Sequence, residues 1–114
     1  MSTTASGSAA EQAVAARLAA LGYQVLELNW KTKFAEIDIV AAKGKVMYFV
    51  EVKYRSSDSA GDGFDYITPA KLHHMQRAAA AWVNNKQWNG SYELKAAAVT
   101  DGQDGYEIDI RDVC

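Results

Sequence analysis

The sequence predicts an α/β fold in which a small mixed sheet is flanked by helices, and two kinds of periodicity carry that expectation. Apolar residues recur at three- and four-residue steps in two segments, near Val14 and near Met75. Runs that alternate every second residue lie between and after those segments. The predicted order is helix, three strands, helix, two strands.

The first helix rests on Val14, Leu18 and Leu21 with the alanines around them, and it ends at Gly22, a residue suited to a left-handed C-cap. Tyr23 to Leu28 alternates as a strand. Phe34 to Ala42 and Lys45 to Lys53 are stronger strands, joined across Lys43-Gly44 as a hairpin. The Ser-, Asp- and Gly-rich stretch that follows has no periodicity and predicts a mobile loop over residues 56–66. Thr68-Pro69 then has the form of an N-cap and first helical residue, and Leu72, Met75, Ala79, Trp82 and Val83 keep one apolar stripe to about Asn85. Two short strands complete the chain, around Tyr92 to Thr100 and Tyr106 to Ile110.

With 114 residues and 49% hydrophobic content, one domain over residues 1–114 has a sufficient core without disulfides, preceded by a flexible tail at residues 1–8. The lone cysteine, Cys114, closes no intrachain bridge. Met1 to Ala10 has neither the basic start nor the apolar centre of a secretory signal, and no apolar run approaches the roughly 20 residues of a membrane helix. A cytoplasmic protein with no membrane partner is expected.

Net charge is −2 and the pI about 5.6, which counts against a strong sequence-independent grip on DNA. The charge is unevenly spread, however. Trp30 to Arg55 holds six basic residues against three acids, whereas Glu93 to Asp112 holds six acids against two bases. A polyanion should meet the first of these stretches.

The hairpin is the chemically informative element. A two-residue turn at Lys43-Gly44 places Glu36 opposite Glu51 and Asp38 opposite Phe49. Alternation then puts Glu36, Asp38, Glu51 and Lys53 on one face, together with Val40, Met47 and Phe49. Opposed and diagonal carboxylates repel unless a cation lies between them, and oxygen donors without His or Cys suit Mg²⁺ or Mn²⁺ better than Zn²⁺. The plain alternative is a half-solvated hairpin with Glu51 and Lys53 as a surface pair. Against it, Val46, Tyr48, Val50 and Val52 make the other face apolar too, as in a central strand, where idle charges are rare.

Glu36-Ile37-Asp38, followed by Phe49-Val50-Glu51-Val52-Lys53 and Arg55, resembles the YraN family of small bacterial proteins within the PD-(D/E)XK nuclease superfamily. Glu11, Gly22-Tyr23, Asn29 and Lys71 match as well, while Ala10 and Ala35 stand where glycine is usual, departures expected to touch turns. The resemblance implies a restriction endonuclease-like αβββαβ core, related to archaeal Holliday-junction resolvases. It implies a metal-dependent endonuclease hydrolysing phosphodiester bonds in DNA, branched or single-stranded, with a homodimer as a further expectation. Asp38 and Glu51 would hold Mg²⁺ or Mn²⁺ with the Val52 carbonyl, Lys53 would orient or deprotonate the attacking water, and Glu36 would tune the site from its edge. A non-catalytic nucleic-acid-binding or assembly module on the same fold is the alternative.

Several residues admit two readings. Glu11 either reaches the acidic pocket or closes a capping box with Ser8. Lys71 contacts a phosphate or is simply solvated. Trp30, beside Lys31 and Lys33, is the tryptophan best placed to stack on a base, and Arg55 completes the expected nucleic-acid contacts. Trp82 reads as core, Trp88 as a dimer-interface candidate, and His73-His74 as surface.

Overall fold

The computed structural model describes residues 5–55 and 63–113. Seven elements follow in the order α1 (Ala5–Ala20), β1 (Gln24–Lys31), β2 (Glu36–Lys43), β3 (Val46–Arg55), α2 (Pro69–Lys86), β4 (Ser91–Gly102) and β5 (Gly105–Asp112). This is the expected α/β order, with αβββαβ followed by one more strand. The five strands form one mixed sheet in sequence order, antiparallel throughout except where β3 and β4 run parallel. A parallel pair needs a long crossover, and α2 is that crossover.

The two helices cover opposite faces. On the α1 face, Ala10, Val14 and Leu18 pack on Ile39, Ala41, Val50 and Val99. On the other face, Met75, Ala79 and Trp82 of α2 pack on Val40, Met47, Phe49 and Leu94. β3 is buried from both sides, as its two apolar faces predict.

Gly22 ends α1 and Thr68-Pro69 begins α2 as their sequences predict, whereas α2 closes on a left-handed glutamine. Gly22 is left-handed (φ 96°), and the N–H groups of Gly22 and Tyr23 donate to the Ala19 and Leu18 carbonyls, the two bonds of a Schellman motif. Thr68 caps α2, its side chain accepting from the Lys71 N–H at 3.1 Å, with Pro69 in the first turn. At the far end Gln87 takes the left-handed position (φ 57°) and its N–H donates to the Val83 carbonyl.

Three expectations are corrected. α1 begins at Ala5, so the tail expected over residues 1–8 gives way there, and Ser8 stands inside the helix where it cannot be its N-cap. Ala10 is no turn residue either but lies wholly buried in α1. The hairpin turn is Gly44-Lys45, because the glycine takes the positive φ (62°) at the first loop position and Lys43 pairs with Val46. The register therefore moves by two residues. An even shift preserves which side chains share a face. Residues 1–4, most of the loop expected at 56–66, and Cys114 lie outside the described residues; 63–66 form a turn in which the Ile67 N–H donates to the Phe64 carbonyl at 3.0 Å.

Candidate active site

The site begins where a ladder stops. β2 and β3 pair without interruption from Lys43–Val46 to Ile39–Val50, and no further, although β3 stays paired with β4 to Arg55. Past Ile39 the Val52 N–H donates to a side chain, Asp38 Oδ2, at 2.8 Å. Strict alternation fails at the same place. Ile37 and Val40, three residues apart, both face α2. On the neighbouring β1, Glu27 bonds Trp82 of α2 and Trp30 packs on the same cluster, with Asn29 between them in a left-handed conformation (φ 52°). Matched irregularities in adjacent strands thus turn β2 away from β3 and put Asp38 in the opening.

Asp38 is only 8% exposed and is the sole buried charged residue among those described. Burial first, then the neighbouring Glu51 carboxylate, push its carboxyl up from the usual range to about 7; Glu11 and Glu36 push the same way, against the bond from Val52. Carrying the hairpin register one step further places Asp38 across from Glu51, so the two acids oppose each other directly and not diagonally. Glu51 is balanced by Lys71, whose Nζ lies 2.8 Å from Glu51 Oε2. The Thr68 cap sets the position of that lysine, since the bonded N–H is Lys71's own.

Asp38, Glu51 and Glu36 line a cavity of about 450 Å³ between α2 and the connection from β1 to β2. Lys31, Lys33, Lys71, His74 and Phe34 add basic and aromatic groups to its wall, beside small and apolar residues that include Met75 and Ala78. Lys53 is exposed and does not line the cavity, but the unbroken β3–β4 register keeps it on the face of Glu51 and Phe49. Glu11 is half-buried on α1 and near enough to Asp38 to raise its pKa. Among the described residues no three His, Cys, Asp or Glu side chains form a ready-made metal cluster.

Trp30 packs partly buried against the α2-side core because it shares that face with Ile37, and Trp88 is likewise packed there, donating to the Ser91 carbonyl at 3.0 Å. Sequence reasoning missed Phe34, which it placed at the start of a strand, and Tyr66. The Tyr66 hydroxyl is buried with no hydrogen-bond partner among the described residues, and the charges that act on it are Glu51, Asp38 and Arg55. Nothing in the local sequence distinguishes this tyrosine, because only the fold brings its turn beside the ladder break.

The family described as "Uncharacterised protein family UPF0102" matches residues 10–110. The chain belongs to the UPF0102 family. UPF0102, also known as the YraN family, is the one the strand motifs resemble. The chain is similar to UPF0102 proteins of Cytophaga hutchinsonii (34% identical over 94 residues, 82% of this chain and 83% of the relative) and Helicobacter pylori strain HPAG1 (35% over 102 residues, 87% and 84%). It is also similar to that of Mycolicibacterium vanbaalenii, 36% identical over 77 residues, or 68% of this chain. There the chain spans 64% of the relative, less than two thirds of its length. The UPF0102 names state no activity, so the chemistry must be argued from the geometry.

No helix of the described residues is long and apolar enough to cross a membrane.

Proposed function

We propose that this UPF0102 chain is a metal-dependent endonuclease acting on DNA, with Asp38 and Glu51 as metal ligands and Lys53 as the lysine of the catalytic set. The observation that carries the reading is the ladder break, where a buried carboxyl opposes a second carboxylate on the floor of a cavity rimmed by lysines. The donors fit a hard divalent cation, being oxygens only, and Asp38's pKa, raised first by burial and then by the Glu51 carboxylate, shows an ionised form that a cation there would stabilise. Bound there, Mg²⁺ or Mn²⁺ supplies Lewis-acid polarisation of a phosphate and lowers the pKa of water.

The chain's own groups do the rest. The Val52 N–H fixes one Asp38 oxygen, so the other would be left for the ion, which the Val52 carbonyl would also help to hold. Glu51, paired with Lys71 in this structure, would hold the cation in place of that partner, and the Lys71 ammonium would then be available to a phosphate oxygen. Lys53, two residues along the same face, orients the attacking water or takes its proton. Glu36 and Glu11 add negative charge around the ion. Lys31, Lys33 and Arg55 bind flanking phosphates.

A second reading, a nucleic-acid-binding module without turnover, is favoured by two observations: Lys53 stands outside the cavity lining, and Lys71 already neutralises Glu51. Incubating the protein with single-stranded, duplex and four-way-junction DNA in Mg²⁺ or Mn²⁺ separates the two. Cleavage that falls at least 100-fold in Asp38→Asn and Lys53→Ala is the expected result. Cleavage unchanged in those variants overturns the mechanism, and metal-dependent binding without cleavage selects the module.

A further inference from the structure

The connection between β1 and β2 is four residues long and bonded to itself. Thr32 Oγ1 accepts from the N–H groups of Phe34 (3.2 Å) and Ala35 (3.1 Å), and the Thr32 N–H donates to the Ala35 carbonyl at 2.8 Å. This turn holds the Phe34 ring out into solvent at 87% exposure, whereas the other exposed large hydrophobics lie between 42% and 53%. Lone surface hydrophobics are common and need no explanation. Phe34 differs by position, since it lines the same cavity as Asp38 and Glu51. Its ring is flanked by cations: Lys33 Nζ is 5.8 Å from the ring centroid, and Lys31 and Lys71 share the wall.

A flat apolar ring, a basic rim and an acidic floor match the parts of one ligand. The base stacks, the flanking phosphates meet the lysines, and a phosphodiester reaches the carboxylates. In a duplex each base is already stacked on its neighbours and shows only its edges in the grooves, so the ring has no face to meet there. An unpaired base offers a free π-face. We propose that Phe34 is the stacking platform for an unpaired nucleotide and gives the site its preference for single-stranded or locally unpaired nucleic acid. The proposal rests on nucleic acid being the ligand of the site and not on turnover. A self-bonded turn suits such a platform, because little conformational freedom is lost when the base arrives.

Fluorescence anisotropy with labelled oligothymidylate and with the matching dT·dA duplex tests it, using Ca²⁺ as an oxygen-liganded divalent ion in place of Mg²⁺. Phe34→Ala is expected to weaken single-strand binding about tenfold and duplex binding less than twofold, with Phe34→Trp restoring the first. Thermal melting should be unchanged in Phe34→Ala, since the ring contributes little to the core. Equal loss on both ligands, or loss on neither, overturns the proposal, as does a wild-type protein that does not bind the single strand. Loss of a concentration-dependent dimer in Phe34→Ala, with oligonucleotide binding intact, overturns it in favour of a second copy of this chain on the ring. Phe34-dependent single-strand binding in Ca²⁺, together with no cleavage of any of the DNAs in Mg²⁺ or Mn²⁺, removes the nuclease reading and leaves this one standing.

Discussion

Burial raises the Asp38 carboxyl pKa strongly, and the sign of that shift is testable without substrate. The folded pKa of about 7 lies above the unfolded value of 3.8. The neutral form is therefore favoured by folding: the associated stability is fully present below pH 3.8 and lost as pH rises through 7. Asp38→Asn keeps an oxygen to accept from Val52 and removes the charge. In EDTA at pH 8 the variant should be more stable than wild type, by about 4 kcal/mol at most, and the gap should close towards pH 4; paired urea melts at the two pH values measure it. A deficit in the variant at pH 8 would contradict this electrostatic account. Tyr66→Phe removes a buried hydroxyl that has no partner among the described residues. It should leave stability unchanged or raise it by about 1 kcal/mol, and a loss above that in the same melts would reveal a partner. Asp38 and Glu51 stand out in the sequence because they are carboxylates within otherwise apolar strand runs, although the break in alternation at Asp38 is not visible there. Tyr66 and Phe34 are not, because exposure and proximity arise from turns whose neighbours are distant in sequence.

For an element, what a sequence determines well is parity and capping. Thr68-Pro69 and Gly22 mark helix ends by local chemistry and are found where expected. The hairpin faces are legible where the ladder is intact, with Val40, Met47 and Phe49 together, since a two-residue register shift moves pairs without moving faces; alternation fails only beyond Ile39. The register itself depended on which of Lys43-Gly44 and Gly44-Lys45 formed the loop, and the glycine's positive φ at the first position decided it. The break at Asp38 was out of reach, because it needs matched irregularities in two strands, and Asn29 and Ile39 reveal nothing of this in isolation. Two substitutions test the α2 ends. Thr68→Ala removes the acceptor of the Lys71 N–H and should cost about 1 kcal/mol, with Thr68→Ser recovering most of it. Gln87→Gly relieves a left-handed residue with a Cβ and should add about 0.5–1 kcal/mol. Denaturant midpoints at constant m-value are the readout for both.

Across the whole molecule, strand order converts a charge gradient along the chain into one across the sheet. β1 and β5 are the two edges. The basic stretch Trp30 to Arg55 runs from the end of β1 through β3, while the acids from Glu93 to Asp112 lie on β4, β5 and their turn. On the proposed reading, a polyanion would be repelled from the β5 side and admitted where α2 meets the β1–β2 connection, at the cavity that holds Asp38 and Glu51. With net charge −2, such binding depends on a few local cations and not on the overall field. Counterion release sets the magnitude. For a single strand the slope of log K against log salt is about −0.7 per neutralised phosphate, so Lys31, Lys33, Arg55 and Lys71 together predict a slope of about −2.8. Replacing Lys31 and Lys33 by glutamine should reduce its size by about 1.4, whereas Glu107→Gln with Asp109→Asn at the far edge should leave the slope unchanged and raise affinity slightly. Salt titrations of oligothymidylate binding on these two double variants measure both effects. A slope that responds to the β5 pair and not to the lysines would put the polyanion on the wrong side of the sheet for the carboxylates to act on it.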